Sequence, residues 1–292
     1  MDKQAHNATN EKNKGGASRA LQDEIISSTL SHIRYKIFVM SGKGGVGKSS
    51  IAANLAAALA QQGNKVGLLD VDIHGPSVPR LLGIEGLLDM NEKNMIEPKR
   101  YSKNLSVVSM QSLLRNPDQA VLWKGPMKTT VIRQFIADVQ WGGLDFLVVD
   151  SPPGTGDEPM TVLQTIPDAL CVVVTTPQEV SLADVRKAVN FLQYARANVL
   201  GIVENMSGLY CPHCRKEIEL FKKGGGKALA EKYGLDFLGA VPLDPLAVIA
   251  GDTGTPLVMQ DIESPARNEL FRLADNVSRA AETSLEIAVA PE

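Results

Sequence analysis

The sequence Met40-Ser-Gly-Lys-Gly-Gly-Val-Gly-Lys-Ser-Ser50 directly follows a run of apolar residues, and its part from Gly42 to Ser49 matches the pattern GxxxxGK[ST]. Glycines permit positive φ angles and let backbone N–H groups approach phosphate oxygens. The first turn of a following helix adds free N–H groups and a partial positive charge. The pattern therefore predicts a nucleotide-binding loop, in which Lys48 contacts the β- and γ-phosphates and Ser49 binds Mg²⁺. The alternative is a glycine-rich turn between a strand and a helix that binds no ligand.

The loop as a whole is predicted to contact the nucleotide through consecutive residues. These are Gly42, Lys43, Gly44, Gly45, Val46, Gly47, Lys48, Ser49 and Ser50.

The composition is that of an ordinary globular domain. Of the 292 residues, 44% are hydrophobic and 22% are charged, and the net charge is −3. A slightly negative chain has no general attraction to nucleic acid or to an anionic membrane, and no apolar run reaches the roughly 18 residues of a membrane span. Three cysteines are too few for a disulfide framework. We therefore expect a cytoplasmic protein that binds neither nucleic acid nor membrane.

Apolar β-branched runs alternate with helical patterns along the chain. Runs such as FLVVD and LCVVVTT lack polar alternation, which is typical of strands buried on both faces in a parallel sheet. The predicted strands are 36–41, 65–70, 105–110, 146–150, 169–175, 199–204 and 238–241, and the predicted helices are 48–61, 125–138, 159–166, 181–195, 226–233 and 265–285.

This alternation predicts an α/β fold with a doubly wound, mostly parallel sheet and helices on both faces. Together with the glycine loop it indicates a single-domain P-loop NTPase over residues 19–285. We expect the polar residues 1–18 to form a flexible tail and residues 286–292 to form a flexible C-terminus.

A second lysine, Lys43, lies early in the loop, which reads KGGVGKS. In this it resembles the deviant Walker A ATPases, which bind ATP. The resemblance implies that Lys43 reaches across a homodimer interface and stabilises charge on the partner's nucleotide, as an arginine finger does. The alternative is a solvated lysine.

Acidic residues follow two of the predicted strands. Asp70 and Asp72 end the stretch LLDVD, and Asp150 ends FLVVD, at the edge where open α/β sheets bind ligands. Asp150 is predicted to hold Mg²⁺, directly or through water. Asp72 resembles the family's catalytic aspartate, which positions the attacking water. An N-cap or turn role is expected for Asp70 and is the alternative for Asp72 and Asp150.

The resemblance also suggests contacts with the base. Asn205 follows a predicted strand in VENMSG and matches the asparagine that binds the adenine edge, and the turn 242–244 matches a segment packed on the same base. Each has a structural alternative: Asn205 as a turn residue and Asp244 as a helix N-cap.

Cys211 and Cys214 form a CPHC motif. Two thiolates at this spacing can bind zinc or an iron–sulfur cluster. The alternatives are a redox pair and two free or disulfide-bonded cysteines. A site with four ligands needs four thiolates, and a two-fold dimer supplies the second pair. We therefore predict a [4Fe–4S] cluster shared between two chains, with zinc as a possible substitute, and a buried apolar role for Cys171.

The combined motifs resemble the Mrp/ApbC family of iron–sulfur cluster carriers. The matching segments are SGKGGVGKSS, DVDIHGPS, VLWKGPMK, DSPPGTGDE, VENMS and CPHC, within residues 30–260. The resemblance implies a homodimeric, Mg²⁺-dependent ATP hydrolase that accepts a labile cluster from an assembly scaffold and transfers it to apo iron–sulfur proteins.

Other functions use the same loop. A MinD/ParA-like positioning ATPase shares both lysines, but it needs a basic membrane helix or a basic DNA-binding face. A nickel or arsenic metallochaperone is the third candidate, although neither its typical Cys/His pattern nor a tandem duplication is present.

Overall fold

A central, mostly parallel β-sheet organises the computed structural model, which describes residues 19–72, 75–113, 125–211, 213–214, 216–218, 220 and 223–289. The strands are β1 (Ile33–Ser41), β2 (Val66–Asp70), β3 (Asp89–Met90), β4 (Ile96–Glu97), β5 (Lys99–Arg100), β6 (Leu105–Ser109), β7 (Leu144–Asp150), β8 (Leu170–Thr175), β9 (Asn198–Tyr210), β10 (Glu217–Ile218) and β11 (Phe237–Leu243).

The helices precede, connect and follow these strands along the chain. They are α1 (19–31), α2 (Lys48–Gln61), α3 (Val78–Leu81), α4 (Gly125–Asp138), α5 (Asp157–Thr165), α6 (Glu179–Tyr194), α7 (Gly225–Tyr233), α8 (Pro245–Asp252) and α9 (Pro265–Val289). Short 3₁₀ helices cover Met110–Leu113 and Leu257–Met259. In the described part of the chain, no helix is both long and apolar enough to cross a lipid bilayer.

The sheet order places the strand that precedes the glycine loop near its centre. The order is β5-β6-β2-β7-β1-β8-β9, with β11 parallel to β9 on its outer side. Among the strands of the described residues, β5 and β10 alone pair antiparallel to their neighbours in this sheet, while β3 and β4 form a separate ribbon. The carboxyl ends of β1, β2, β7 and β9 therefore lie along one edge of the sheet.

Side chains of the central strands alternate between two buried clusters. On β1, Tyr35, Ile37 and Val39 pack in the cluster that contains α2 and α9, whereas Phe38 and Met40 pack in the cluster that contains α1, α4, α5, α6 and α7. A strand that is apolar on both faces needs helices on both faces. The doubly wound α/β P-loop fold predicted from the sequence is confirmed.

All predicted strands and helices are present, and α2 and α4 have the predicted bounds. Gly63 follows α2 with φ 97°, as expected of a helix C-terminal glycine. The structure adds α1, α3, α8 and the short strands, extends β9 to Tyr210, and continues α9 to Val289, beyond residue 285. The predicted tail 1–18 and residues 290–292 lie outside the described residues.

Candidate functional site

The glycine loop connects β1 to α2, as its sequence predicts. Gly45 and Gly47 have φ angles of 82° and 80°, in the left-handed region that favours glycine. Gly42 packs so closely that a Cβ atom there would collide with the backbone carbonyl of Asp184 in α6. The loop thus ends at the N-terminus of α2, where backbone N–H groups are free to bind an anion.

Lys48 forms a buried ion pair with Asp150 across this edge of the sheet. Its Nζ lies 2.5 Å from Asp150 Oδ1 and 3.3 Å from Ser49 Oγ. Burial raises the pKa of Asp150, and the nearby Lys48 opposes that change. The second carboxylate oxygen of Asp150, Oδ2, is buried and has no hydrogen-bond partner among the described residues. The site therefore holds an unused acceptor beside a cation and a hydroxyl.

Asp70 lies directly opposite Asp150 in the register of β2 and β7. Its carboxylate accepts hydrogen bonds from the backbone N–H of Asp72 at 3.1 Å and from Ser109 Oγ at 3.0 Å. Burial, and then repulsion from Asp150, raise the pKa of Asp70 to about 8, although Lys48 lowers it in part. The turn contact agrees with the sequence expectation, but the pairing with Asp150 does not follow from the sequence pattern.

Asp72 lies two residues beyond β2 and is buried. Its Oδ1 accepts a hydrogen bond from the N–H of Gly75 at 3.1 Å, and its charge contributes to the raised pKa of Asp150. Residues 73 and 74 lie outside the described residues. Asp72 thus belongs to the same acidic group as Asp70 and Asp150.

Lys43 occupies a different position from Lys48. It is half-buried, and its backbone carbonyl accepts a hydrogen bond from Ser41 Oγ at 2.8 Å. No carboxylate in the described parts of the chain forms an ion pair with its ammonium group. The two lysines of the loop therefore have distinct surroundings.

Asn205 contacts the glycine loop from β9. Its amide donates a hydrogen bond to the Val46 carbonyl at 2.9 Å, and a Cβ atom on Gly47 would collide with the same amide nitrogen. The predicted contact with adenine stays a prediction. The sequence pattern gave no sign that Asn205 also supports the loop.

The predicted turn 242–244 is wrong for Pro242 and Leu243, which end β11; with Asp244 they line a groove of about 610 Å³ together with Tyr210, Cys211 and Leu246. Asp244 caps α8, because its Oδ1 accepts a hydrogen bond from the N–H of Leu246 at 2.9 Å. The N-cap alternative for Asp244 is therefore confirmed, and the groove brings the end of β11 close to the first cysteine.

The cysteine pair lies on a hairpin at the end of β9, where Tyr210 pairs with Glu217 of β10. The N–H of Cys211 donates to the Lys216 carbonyl at 2.9 Å. Cys211 is half-buried and Cys214 is exposed, and both are free thiols. Hydrogen bonds from the backbone of Cys214, then of His213, lower the pKa of Cys211. The hairpin thus presents two thiols at the surface.

The third cysteine, Cys171, differs in every respect. It is fully buried in β8, and burial raises the pKa of its thiol to about 12. The predicted apolar role of Cys171 agrees with this position. Among the described residues, no group of three or more His, Cys, Asp or Glu side chains forms a metal site.

Comparison with known proteins identifies the family. A family model described as ParA, NUBPL iron-transfer P-loop NTPase, matches residues 32–278. The iron-sulfur cluster carrier protein of Methanocaldococcus jannaschii is 46% identical over 246 residues, which are 84% of this chain and 85% of that protein. The protein of the same name from Saccharolobus solfataricus is 44% identical over 263 residues, covering 90% and 89%.

Solved structures share the fold. A nucleotide-binding protein from Archaeoglobus fulgidus in complex with ADP is 41% identical, with a TM-score of 0.71 over 80% of this chain and 91% of that one. The cell division ATPase MinD of Pyrococcus furiosus is 24% identical, with a TM-score of 0.62 over 84% and 98%, and shows the fold alone. The matched family model and the relatives establish that this chain belongs to the NUBPL iron-transfer group of ParA-type P-loop NTPases.

Proposed function

We propose that this chain is a homodimeric, ATP-hydrolysing carrier that binds a labile iron–sulfur cluster and transfers it to apo-proteins. The observation that carries the proposal is the hairpin of Cys211 and Cys214, which continues β9 from the same sheet edge as the glycine loop. Relatives of similar length at 44–46% identity are named iron-sulfur cluster carrier proteins. The ADP complex of the Archaeoglobus fulgidus protein supports nucleotide binding.

The nucleotide would bind at the glycine loop. Backbone N–H groups of residues 42–50 would contact the phosphates, and Lys48 would exchange its ion pair with Asp150 for the β- and γ-phosphates. Asp72 would orient the attacking water, and Asn205 would contact the adenine. Hydrolysis of this kind depends mainly on positioning and charge stabilisation.

Magnesium fits the residues beside Lys48. Asp150 offers a buried carboxylate oxygen without a partner among the described residues, and the Ser49 hydroxyl lies next to Lys48. Hard oxygen ligands of this type suit Mg²⁺. Ser49 and Asp150 would therefore hold the ion, which, when bound, neutralises charge on the phosphates.

Lys43 would make the dimer necessary for catalysis. In the proposed assembly its ammonium group reaches the nucleotide of the second chain, where it stabilises charge on the phosphoryl group. Its lack of an acidic partner within the described residues is compatible with a role outside its own chain. Each nucleotide site then needs two copies.

The cluster is the cargo of this carrier. Each chain supplies the thiolates of Cys211 and Cys214, so two chains provide four ligands for a [4Fe–4S] cluster. The lowered pKa of Cys211 favours the thiolate that binds metal. An assembly scaffold would donate the cluster and apo iron–sulfur proteins would receive it, while zinc is a possible substitute.

Anaerobic reconstitution with iron and sulfide tests this function. Cys211→Ala and Cys214→Ala should each abolish the cluster absorbance and the transfer to an apo-ferredoxin, whereas Cys171→Ala, the matched control, should retain both. Cluster binding by the Cys211 or Cys214 variants would contradict the proposal. ATP-dependent binding to lipid vesicles or DNA would favour the positioning ATPase instead.

A further inference from the structure

Glu204 holds both ends of the segment that carries the cysteines. It lies in β9 and is completely buried. Its Oε1 accepts hydrogen bonds from Ser207 Oγ at 2.5 Å and from the N–H of Gly224 at 3.0 Å. Residues 208–223, which include Cys211 and Cys214, lie between these two contacts. One carboxylate oxygen thus closes the base of the cysteine segment.

The same carboxylate caps α7. Its second oxygen, Oε2, accepts a hydrogen bond from the N–H of Gly226 at 2.6 Å. The first N–H groups of a helix have no partner within the helix, and a negative charge there is favourable. Gly226 lies against Glu204 Cβ and Thr175, so that the helix start approaches the sheet closely. Charge-assisted hydrogen bonds in a buried site are strong, and they fix the position of the hairpin relative to the sheet.

Asn205, the next residue, holds the glycine loop. Successive side chains of a strand point to opposite faces, so that Glu204 meets α7 while Asn205 meets Val46. At these two residues β9 has a paired strand on each side, because Glu204 lies opposite Thr175 of β8 and Asn205 lies opposite Val241 of β11. A short run of hydrogen-bonded residues therefore joins the glycine loop to the cysteine segment.

We propose that Glu204 is a positioning residue for Cys211 and Cys214, and that Glu204 and Asn205 transmit the state of the glycine loop to the cysteine segment. Nucleotide binding reorders the loop at Val46 and Gly47, and Asn205 moves with it. The hydrogen bonds that Glu204 accepts from Ser207 and Gly224 then change. The inference rests on the proposed function for the role of the two thiols.

Hydrogen exchange of cluster-free protein, with and without Mg·ADP, tests this link. In the wild type, Mg·ADP should slow exchange in residues 42–50 and change it in residues 207–224. In Glu204→Gln, exchange of 207–224 without nucleotide should rise about tenfold, the factor for losing one hydrogen bond to a charged group. Mg·ADP should then protect only residues 42–50, whose protection reports that nucleotide still binds.

Two further variants complete the experiment. Glu217→Gln removes a carboxylate from the hairpin itself, where Glu217 pairs with Lys223 at the surface, and it should behave like the wild type. Ser207→Ala removes only one contact of Glu204; it should raise exchange of 207–224 severalfold, and it decides the result if Glu204→Gln does not fold.

A nucleotide response of residues 207–224 that persists in Glu204→Gln and Ser207→Ala would overturn the inference. So would a wild type in which only residues 42–50 respond to nucleotide. Because no cluster is present, these results are independent of the proposed carrier function, whose failure would show as absent cluster binding.

Discussion

Replacing Lys48 with methionine tests how strongly the buried ion pair supports the nucleotide-free fold. Lys48 Nζ lies 2.5 Å from Asp150 Oδ1, and the side chains are 7% and 0% exposed. Methionine keeps the apolar stem but leaves Asp150 buried without its cation, which costs about 3–5 kcal/mol. For a domain of this size the melting temperature should fall by about 6–20 °C. Differential scanning calorimetry of the nucleotide-free protein measures this fall in melting temperature.

Lys36→Met provides the matched control. Lys36 is as buried as Lys48 and lies 2.7 Å from Asp168, but the Asp168 side chain is 60% exposed. The carboxylate left behind is solvated, so the cost should stay below about 1 kcal/mol. The double variant Lys48→Met/Asp150→Asn removes the unpaired charge and should recover most of the loss. Equal destabilisation by the two methionine variants, or no recovery in the double variant, would show that the unpaired buried charge of Asp150 is not the cause.

Three further predictions concern the same edge of the sheet. Because the pKa of Asp70 is raised to about 8, its contribution to the stability of the fold is complete below about pH 4 and is lost as the pH rises through 8. Between pH 6 and 9 the melting temperature should therefore fall less steeply for Asp70→Asn than for the wild type. Parallel curves of melting temperature against pH would contradict this. Gly47→Ala forces a Cβ atom onto the Asn205 amide at a φ angle of 80°. Chemical denaturation should therefore show that the free energy of unfolding falls by at least about 1–2 kcal/mol. An unchanged denaturation midpoint would contradict the loop geometry. Lys43→Met and Asp72→Asn should each lack ATPase activity alone. An equimolar mixture of the two variants should regain about a quarter of the wild-type rate, because half of the dimers contain one intact site. No recovery on mixing would mean that Lys43 acts within its own chain.

Local sequence was sufficient for the main elements of the fold. Continuous apolar runs predicted the strands buried on both faces, and the glycine motif located the loop and the start of α2. α8 was missed because its residues, PLAVIAGD, are apolar almost throughout and show no helical face. Its capping residue Asp244 was nevertheless recognisable, since proline follows it at the first helical position.

The site was harder to predict where it depends on sheet order. Asp70 and Asp150 end strands that lie far apart in the sequence, and only the pairing of β2 with β7 brings them opposite each other. Likewise, Glu204 follows an apolar run, and nothing local shows that its carboxylate meets the N–H groups of Gly224 and Gly226. For Asp70 and Asp150, the sequence indicates only that each aspartate ends a predicted strand.

In the proposed carrier, two chains share one cluster through four thiolates. Native mass spectrometry of the anaerobically reconstituted protein, combined with iron and sulfide analysis, measures this most directly. We expect a dimer that carries one [4Fe–4S] cluster, about two iron atoms per chain, and that separates into monomers when the iron is chelated in the absence of nucleotide. A monomer that retains a complete cluster would contradict it.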